Sequence, residues 1–249
     1  MRALAASELL EVWERGLSQT GVERALTLLG SACEGEPRDV LELLSVGERD
    51  VRLLRLREWT FGPRMTSVVA CPTCGEHVEL GFSTTDLRSK GKGAEASLEA
   101  PLRLTAGGYD VAFRLPNSLD LAQVAAGPRA ELGEAESRFL DRCVLEASRD
   151  GERVPAAELP AEIAEAIARR MAEADPQADI GLALDCPACG RNWQVPFDIE
   201  PFFWDEINAW ARRILGEVHL LASAYGWRET DILRMSASRR QLYLDLIGR

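Results

Sequence analysis

Histidine is scarce in this chain, which has only His77 and His219 among its 249 residues. A catalytic or metal site built from several histidines is therefore excluded. No stretch approaches the roughly eighteen consecutive apolar residues that a membrane-spanning helix needs. The N-terminal segment carries Glu8, Glu11 and Glu14 where a secretory signal requires an unbroken apolar core. Together these absences predict a cytoplasmic protein.

Positive charge is also in short supply, because 29 Lys and Arg residues face 40 Asp and Glu residues. The resulting formal net charge of −11 repels phosphate backbones and anionic lipid surfaces. The sequence therefore argues against nucleic acid and membrane partners. Hydrophobic residues make up 46% and charged residues 28%, which is ordinary for a globular protein and excludes global disorder. The length allows one large domain or two small ones.

The six cysteines include two pairs of the form Cys-Pro-x-Cys-Gly, namely Cys71 with Cys74 and Cys186 with Cys189. In a reducing cytoplasm such pairs are more often thiols or metal ligands than disulfides. The proline and the glycine favour a tight turn in which both thiolates of a pair can bind one ion. Two such turns supply four thiolates, and this closed tetrahedral set predicts one structural Zn²⁺ with no open position for a substrate.

The two cysteine pairs are separated by residues 75–185, a stretch of 111 residues that is far longer than in a compact zinc ribbon. Three other interpretations remain: redox-active dithiols, a four-thiolate iron centre, or buried cysteines without metal. Redox dithiols are disfavoured because neither turn leads into a helical pattern. An iron centre uses the same kind of turn, so the spacing does not separate it from zinc. We expect Cys33 and Cys143, which lie in helical patterns, to be small buried hydrophobic residues.

An enzymatic interpretation also exists. The segment from His77 to Glu79, together with the second cysteine pair, imitates the signature of zinc nucleobase deaminases. It leaves the first cysteine pair without a role, and Asp185 stands where that signature has proline. The sequence contains no Gly-rich phosphate loop or nucleophile elbow. We therefore predict a non-enzymatic protein, with a zinc-dependent enzyme acting on a nucleotide or small molecule, or a zinc-ribbon nucleic-acid-binding protein, as the alternatives.

The hydrophobic patterns predict an α+β fold with five regions. Helical periodicity marks both ends of the chain, whereas β-prone alternation flanks each cysteine pair. Between the pairs we expect a flexible segment, a hairpin around Gly107-Gly108, and two or three helices between about residues 118 and 174. The regions are 1–62 (N-terminal helices), 63–87 (first cysteine hairpin), 88–178 (insertion, with the flexible segment at 88–100), 179–200 (second cysteine hairpin) and 201–249 (C-terminal helices).

Two helical segments carry more specific expectations. Ser45 with Glu48 forms a capping box, which predicts the start of a helix whose arginines we interpret as a solvated face. These arginines are Arg49, Arg52, Arg55 and Arg57. The C-terminal region contains an apolar stripe at spacings of three and four, which must be buried. Its members are Phe203, Ile207, Trp210, Ile214, Val218, Leu221 and Tyr225.

Residues 54–75 and 217–247 resemble a known family. The first segment joins an arginine-bearing helix ending in Phe61-Gly62 to a cysteine turn. The second joins a terminal helix to Tyr-Gly-Trp, acidic residues, Ile-Leu and an Arg-Arg pair. The second pattern consists of Tyr225, Gly226, Trp227, Glu229, Asp231, Ile232, Leu233, Arg239, Arg240 and Tyr243. This combination is similar to the phage baseplate assembly family, the group related to the baseplate hub assembly protein of T-even phages, with relatives encoded beside contractile injection systems.

The likeness covers chiefly residues 45–85 and 180–249, with no comparable match for 88–176. It implies a non-enzymatic role in assembling the baseplate of a contractile tail or tail-like particle, through binding to another baseplate or hub protein. It supplies no catalytic residues.

Aromatic residues crowd the C-terminal region at a density typical of the core of a protein interface. Internal packing is the alternative for these aromatic side chains. The Arg-Arg pair suits an acidic partner, or it complements the carbonyl end of the final helix. The candidates for partner binding are Trp204, Trp210, Tyr225, Trp227, Arg239 and Arg240.

Overall fold

The computed structural model describes residues 1–87, 101–127 and 132–248, so the predicted flexible segment 88–100 lies outside the described residues. The helices are α1 (Ala6–Gly16), α2 (Gly21–Ala32), α3 (Arg38–Leu43), α4 (Val46–Phe61), α5 (Thr84–Leu87), α6 (Ser118–Ala126), α7 (Leu132–Cys143), α8 (Ala161–Ala174), α9 (Ile199–Tyr225), α10 (Glu229–Leu233) and α11 (Ala237–Ile247). The strands are β1 (Arg64–Ala70), β2 (His77–Ser83), β3 (Leu102–Ala106), β4 (Tyr109–Phe113), β5 (Val144–Arg149), β6 (Glu152–Arg153), β7 (Ile180–Asp185) and β8 (Asn192–Phe197).

The chain forms two compact units. Unit 1 consists of Met1–Glu36 and Ile199–Arg249, and unit 2 consists of Pro37–Asp198. Helices and small antiparallel sheets are mixed, which confirms the predicted α+β class. The division of the chain into five regions stays a prediction.

Unit 1 is helical, and its longest element is α9. The buried side of α9 confirms the predicted apolar stripe, although Trp210 is half-buried and Tyr225 is exposed. Leu10 of α1 packs against Ala211 and Ile214 of α9. Among the helices that the structure describes, none has the length and the hydropathy needed to cross a membrane.

Helix α4 of unit 2 corrects the expectation of a solvated arginine face. Arg49 and Arg57 are only 4% and 2% exposed, and Arg55 alone of the four arginines is fully on the surface. The Nε of Arg49 lies 2.7 Å from an oxygen of Asp50, and Arg57 donates to the carbonyl of Gly62 at 2.6 Å. Apolar side chains are buried around much of the helix circumference, so charged residues between them are buried as well.

The four-stranded sheet of unit 2 has the antiparallel order β3-β4-β5-β6. Its first hairpin turns at Gly107 and Gly108, both with positive φ, which confirms the hairpin predicted there. Helix α8 contributes Ile163 and Ile167 to the core on this sheet. Strand β5 was expected to be helical, and that prediction is wrong. Its short alternation is interrupted by a bulge, so the pattern carries little sign of a strand.

Two two-stranded sheets, β1-β2 and β7-β8, hold the cysteine turns of unit 2. In each hairpin the strands alternate between half-buried and exposed residues, which confirms the strands predicted on both sides of the cysteines. The last residue of the first strand pairs with the first residue of the second strand, Ala70 with His77 and Asp185 with Asn192. Each hairpin therefore presents its cysteine turn at the tip.

Candidate functional site

The first cysteine turn is held in shape by backbone hydrogen bonds. The N–H of Cys71 donates to the carbonyl of Glu76 at 2.8 Å, and the N–H of Gly75 donates to the carbonyl of Cys71 at 2.9 Å. Gly75 has φ of +76°, in the left-handed region where a glycine is favoured. This geometry brings Cys71 and Cys74 to the same side of the turn.

The second turn repeats this arrangement. The N–H of Cys186 donates to the carbonyl of Arg191 at 2.8 Å, and the N–H of Gly190 donates to the carbonyl of Cys186 at 2.9 Å. Gly190 has φ of +69°. The two turns are therefore two copies of one local structure, as the shared Cys-Pro-x-Cys-Gly pattern predicted.

The four cysteine sulfurs of the two turns meet in one cluster, in which all lie within 4.8 Å of one another. The Sγ atoms of Cys71 and Cys189 are 3.7 Å apart, and those of Cys74 and Cys186 are 3.6 Å apart. A tetrahedral zinc ion with Zn–S bonds of about 2.3 Å separates its sulfur ligands by about 3.8 Å. The cluster thus has the size of a four-thiolate metal site, and it could hold a metal ion.

These sulfur distances do not correspond to disulfides, whose sulfurs are about 2 Å apart. All six cysteines are free thiols. Within the cysteine cluster, Cys71 and Cys186 are buried and Cys74 and Cys189 are exposed. Each turn therefore contributes one buried and one exposed cysteine to the cluster.

The two thiols of the first turn, Cys71 and Cys74, differ strongly in pKa. Burial alone raises the pKa of Cys71, but N–H groups of Cys74 and Thr73 donate hydrogen bonds to its sulfur and lower the pKa to about 6. At Cys74 the N–H of Glu76 acts to lower the pKa, whereas the Cys186 thiol and burial outweigh it and raise the pKa to about 12. Ionisation of Cys71 is therefore favoured, and ionisation of the neighbouring Cys74 thiol is opposed. A cation relieves this repulsion, because metal ligation deprotonates thiols.

The hairpins also touch through one aromatic pair, which the sequence analysis did not single out. The rings of Phe82 and Phe197 meet edge to face with centroids 5.6 Å apart. Phe82 and Phe197 are separated by 115 residues, the same spacing as Cys71 and Cys186. This equal spacing is a signal that sequence comparison of the two hairpins can detect.

Two residues of the enzymatic alternative, His77 and Glu79, are exposed on β2. Among the described residues, the group that could hold a metal consists of the four cysteines and includes neither of these two. Cys33 and Cys143 are both buried, as predicted, and burial raises the pKa of Cys143 to about 11. Neither single cysteine belongs to the group of described residues that could hold a metal ion.

The aromatic candidates for partner binding differ in exposure within unit 1. Trp204 is buried, with the guanidinium of Arg24 4.5 Å from its ring centroid. Trp210 is half-buried at the edge of the α1–α9 contact. Tyr225 stacks on Trp227 with centroids 4.5 Å apart, and Tyr225 keeps 37% of its surface exposed.

The two arginine candidates also differ. Arg239 is exposed and lies 5.8 Å from the ring centroid of Tyr243. Arg240 is 6% exposed, and its Nε lies 3.0 Å from an oxygen of Glu217. It also donates to the carbonyl of Met235. Contact of either arginine with a partner stays a prediction.

A protein-family model described as T4 bacteriophage base plate protein matches residues 7–204 of this chain. This range includes the cysteine cluster, the four-stranded sheet and most of the helices. The chain belongs to this family. No curated protein and no solved structure gives a significant match.

The extent of the base plate family match differs from the resemblance found in the sequence. The match includes residues 88–176, where no likeness was expected, and it ends before the Tyr225-Gly226-Trp227 tail. Family membership therefore rests on the whole of unit 2 and the N-terminal helices, and the tail contributes nothing to it.

Proposed function

We propose that this protein is a non-enzymatic assembly or structural component of the baseplate of a phage-like contractile tail or contractile injection system. The observation that carries this proposal is the base plate family match over residues 7–204. In this role the protein acts by binding other baseplate or hub proteins, and it does so in the cytoplasm, where it meets them during assembly. Neither nucleic acid nor a membrane is required as a partner.

The metal part of the proposal is one structural Zn²⁺ bound by Cys71, Cys74, Cys186 and Cys189. The sulfur separations of 3.6 and 3.7 Å support it, because they match the edge length of a zinc–thiolate tetrahedron. Bound zinc supplies a cross-link between the two hairpins and leaves no ligand position for a substrate. The ion therefore stabilises the protein and takes no part in a reaction.

The proposed partner surface lies on unit 1 and is formed by Tyr225, Trp227 and Arg239, the more accessible members of the candidate set. Tyr225 and Trp227 stack on each other, and Tyr243 contacts both rings edge to face, so the surface is rigid before binding. Aromatic and arginine side chains are the residues most often found at energetic centres of interfaces. Arg240 follows Arg239 in α11 and is held by Glu217, whereas Trp204 and Trp210 lie 21 and 15 residues before Tyr225 in α9 and are not part of the surface.

The test is pairwise co-expression with each baseplate protein of the same particle, followed by affinity capture and measurement of the dissociation constant. We expect one partner to be captured by the wild type and to bind at least about tenfold more weakly to Tyr225→Ala and Arg239→Glu. Trp59→Ala is the matched control, because Trp59 is 45% exposed on α4 of unit 2. Undiminished binding by both surface variants would exclude this surface. Failure of every baseplate protein to bind the wild type would refute the proposed function itself.

A further inference from the structure

A cavity of about 330 Å³ opens on unit 2, and its described lining includes none of the four clustered cysteines. It is lined by residues from α3, β3, α6, α7 and β5, together with the segment between β4 and α6. Its volume is within the range of pockets that hold a small ligand or one or two side chains. The family match and the sequence patterns assign nothing to it.

Three leucines in the lining are unusually open to solvent. Leu43 is 63% exposed, Leu119 is 40% exposed and Leu145 is 49% exposed. They come from three separate elements, so their meeting around one cavity is produced by the fold. Exposed aliphatic side chains that converge on a cavity mark a binding site more often than scattered ones do.

Leu145 reaches this cavity because of a bulge in β5. Ala112 of β4 pairs with Glu146 and Phe113 pairs with Val144, which leaves Leu145 as the additional residue. Val144 then packs against the core of unit 2, and Leu145 lines the cavity. Bulges commonly redirect one side chain at a functional position.

The charged residues of the lining are both positive, beside the uncharged polar residues Ser45 and Asn117. Arg114 and Arg142 line the cavity, and none of its ten described lining residues is acidic. Asp120, which has no exposed surface, lies behind them and accepts from Arg114 at 2.9 Å and from Arg142 Nε at 2.8 Å. One buried carboxylate therefore positions two guanidinium groups, and one positive charge remains in excess.

Arg142 has donors left for a ligand. Within the described part of the chain, its Nε binds Asp120, and its two terminal nitrogens have no hydrogen-bond partner. About a third of this side chain is exposed, 37%. A carboxylate at the mouth of the cavity would accept hydrogen bonds from the two terminal nitrogens of Arg142 and balance the excess positive charge.

We propose that this cavity binds a segment of a partner protein in which an aliphatic side chain stands next to an aspartate or glutamate. The aliphatic side chain enters among Leu43, Leu119 and Leu145, and the carboxylate pairs with Arg142. The inference rests on the proposed function, because it takes another baseplate protein as the partner. It adds a second contact surface, on unit 2, to the one proposed on unit 1.

The test uses the full chain with ¹³C-labelled leucine methyl groups, titrated with two capped dipeptides, acetyl-Leu-Glu-amide and acetyl-Leu-Gln-amide. We expect saturable methyl shifts at Leu43, Leu119 and Leu145 with the glutamate probe, and about threefold weaker binding of the glutamine probe. Leu17 and Leu242, 58% and 66% exposed in unit 1, are the internal controls and should not shift. Leu119→Asn should weaken binding of the glutamate probe about fivefold, whereas Leu242→Asn should leave its affinity unchanged.

Equal binding of the two dipeptides would overturn the proposal, as would equal shifts at the control leucines or no shift at all. Methyl shifts at the three cavity leucines that depend on protein concentration would assign the cavity to a second copy of this chain, and would likewise overturn it. If the dipeptides fail while a baseplate protein still binds the full chain, this inference alone is wrong. The proposed function fails only when no baseplate protein binds.

Discussion

Asp50 is a buried carboxylate whose ionisation works against the folded state. It is 7% exposed at the start of α4. Burial raises its pKa from the ordinary value of 3.8 to about 6, and the charge of Arg49 offsets only part of this effect. The nearby carboxylates Asp198 and Asp175 raise the pKa further. A proton is therefore held more tightly by Asp50 in the folded protein than in the unfolded chain.

Asp50→Asn removes this titration and keeps an oxygen acceptor for Arg49. Because the folded-state pKa is raised, the stability from Asp50 is fully present below pH 3.8 and is lost as the pH rises through about 6. We expect the unfolding free energy of the variant, minus that of the wild type, to increase by about 2 kcal/mol between pH 4 and pH 7. Urea unfolding of both proteins at several pH values between pH 4 and pH 7 measures this difference in unfolding free energy. Asp205→Asn, at an exposed position of α9, is the control for the substitution of a carboxylate by an amide. A flat difference for Asp50→Asn would contradict the burial effect.

At the scale of single residues, the sequence was a better guide to which side chains carry the chemistry than to which side chains are buried. The meeting of the four paired cysteines could be predicted because their turn pattern is local and repeats. The burial of Arg49 and Arg57 was not predicted, because it depends on which other elements of unit 2 surround α4. The ion pairs of Asp120 with Arg114 and Arg142 were not predicted for the same reason, because Arg142 is 22 residues from the carboxylate that it contacts.

At the scale of elements, the cysteine hairpins depend on a glycine after each pair. Gly75 and Gly190 both have positive φ, and a Cβ at either position would meet no atom within 4 Å. A substitution by alanine is therefore disfavoured by the backbone conformation alone and not by a steric clash. The same substitution in a helix has the opposite effect, because alanine loses less conformational entropy on folding than glycine.

We expect Gly75→Ala and Gly190→Ala each to lower the unfolding free energy by about 1–2 kcal/mol. Gly216→Ala is the matched control. Gly216 lies inside α9 with no atom within 4 Å of an added Cβ, so this variant should gain up to about 1 kcal/mol. Urea unfolding, with the metal content of each variant checked, gives the three values. If all three changes had the same sign, the role of the left-handed backbone in the turns would be wrong.

The elements that could be predicted are those whose signal is contained in a short stretch of sequence. The cysteine hairpins and the hairpin at Gly107-Gly108 combine alternation with turn glycines, and the capped helix at Ser45 has its own start signal. Strand β5 has no such signal. It exists because β4 and β6 pair with it, and the bulge at Leu145 removes the alternation that identifies a strand. The leucine-lined cavity depends on this bulge and was therefore invisible in the sequence.

At the scale of the whole molecule, the cysteine cluster brings together two cysteine pairs that are separated by 111 residues of chain. In the unfolded chain, bringing such distant segments together costs conformational entropy. Binding of an ion to both hairpins therefore favours the folded state, because the unfolded chain has no preformed site. The edge-to-face pair of Phe82 and Phe197 is a further contact between the two hairpins.

Removal of the metal should therefore destabilise the protein strongly. For Cys71→Ser we expect the metal content, measured by elemental mass spectrometry, to fall from about one ion per chain to nearly none, with a melting temperature lower on the order of 10 °C. Treatment of the wild type with a strong chelator should give the same melting temperature and release four additional reactive thiols, because the cluster has four cysteine ligands.

Cys143→Ala is the control, since Cys143 is a buried cysteine outside the cluster, and it should keep its metal while losing only about 1 kcal/mol of unfolding free energy. A Cys71→Ser variant with unchanged metal content and unchanged melting temperature would contradict a metal cross-link. Iron in place of zinc would keep the cross-link and change only the identity of the ion, since four thiolates at these distances suit either metal.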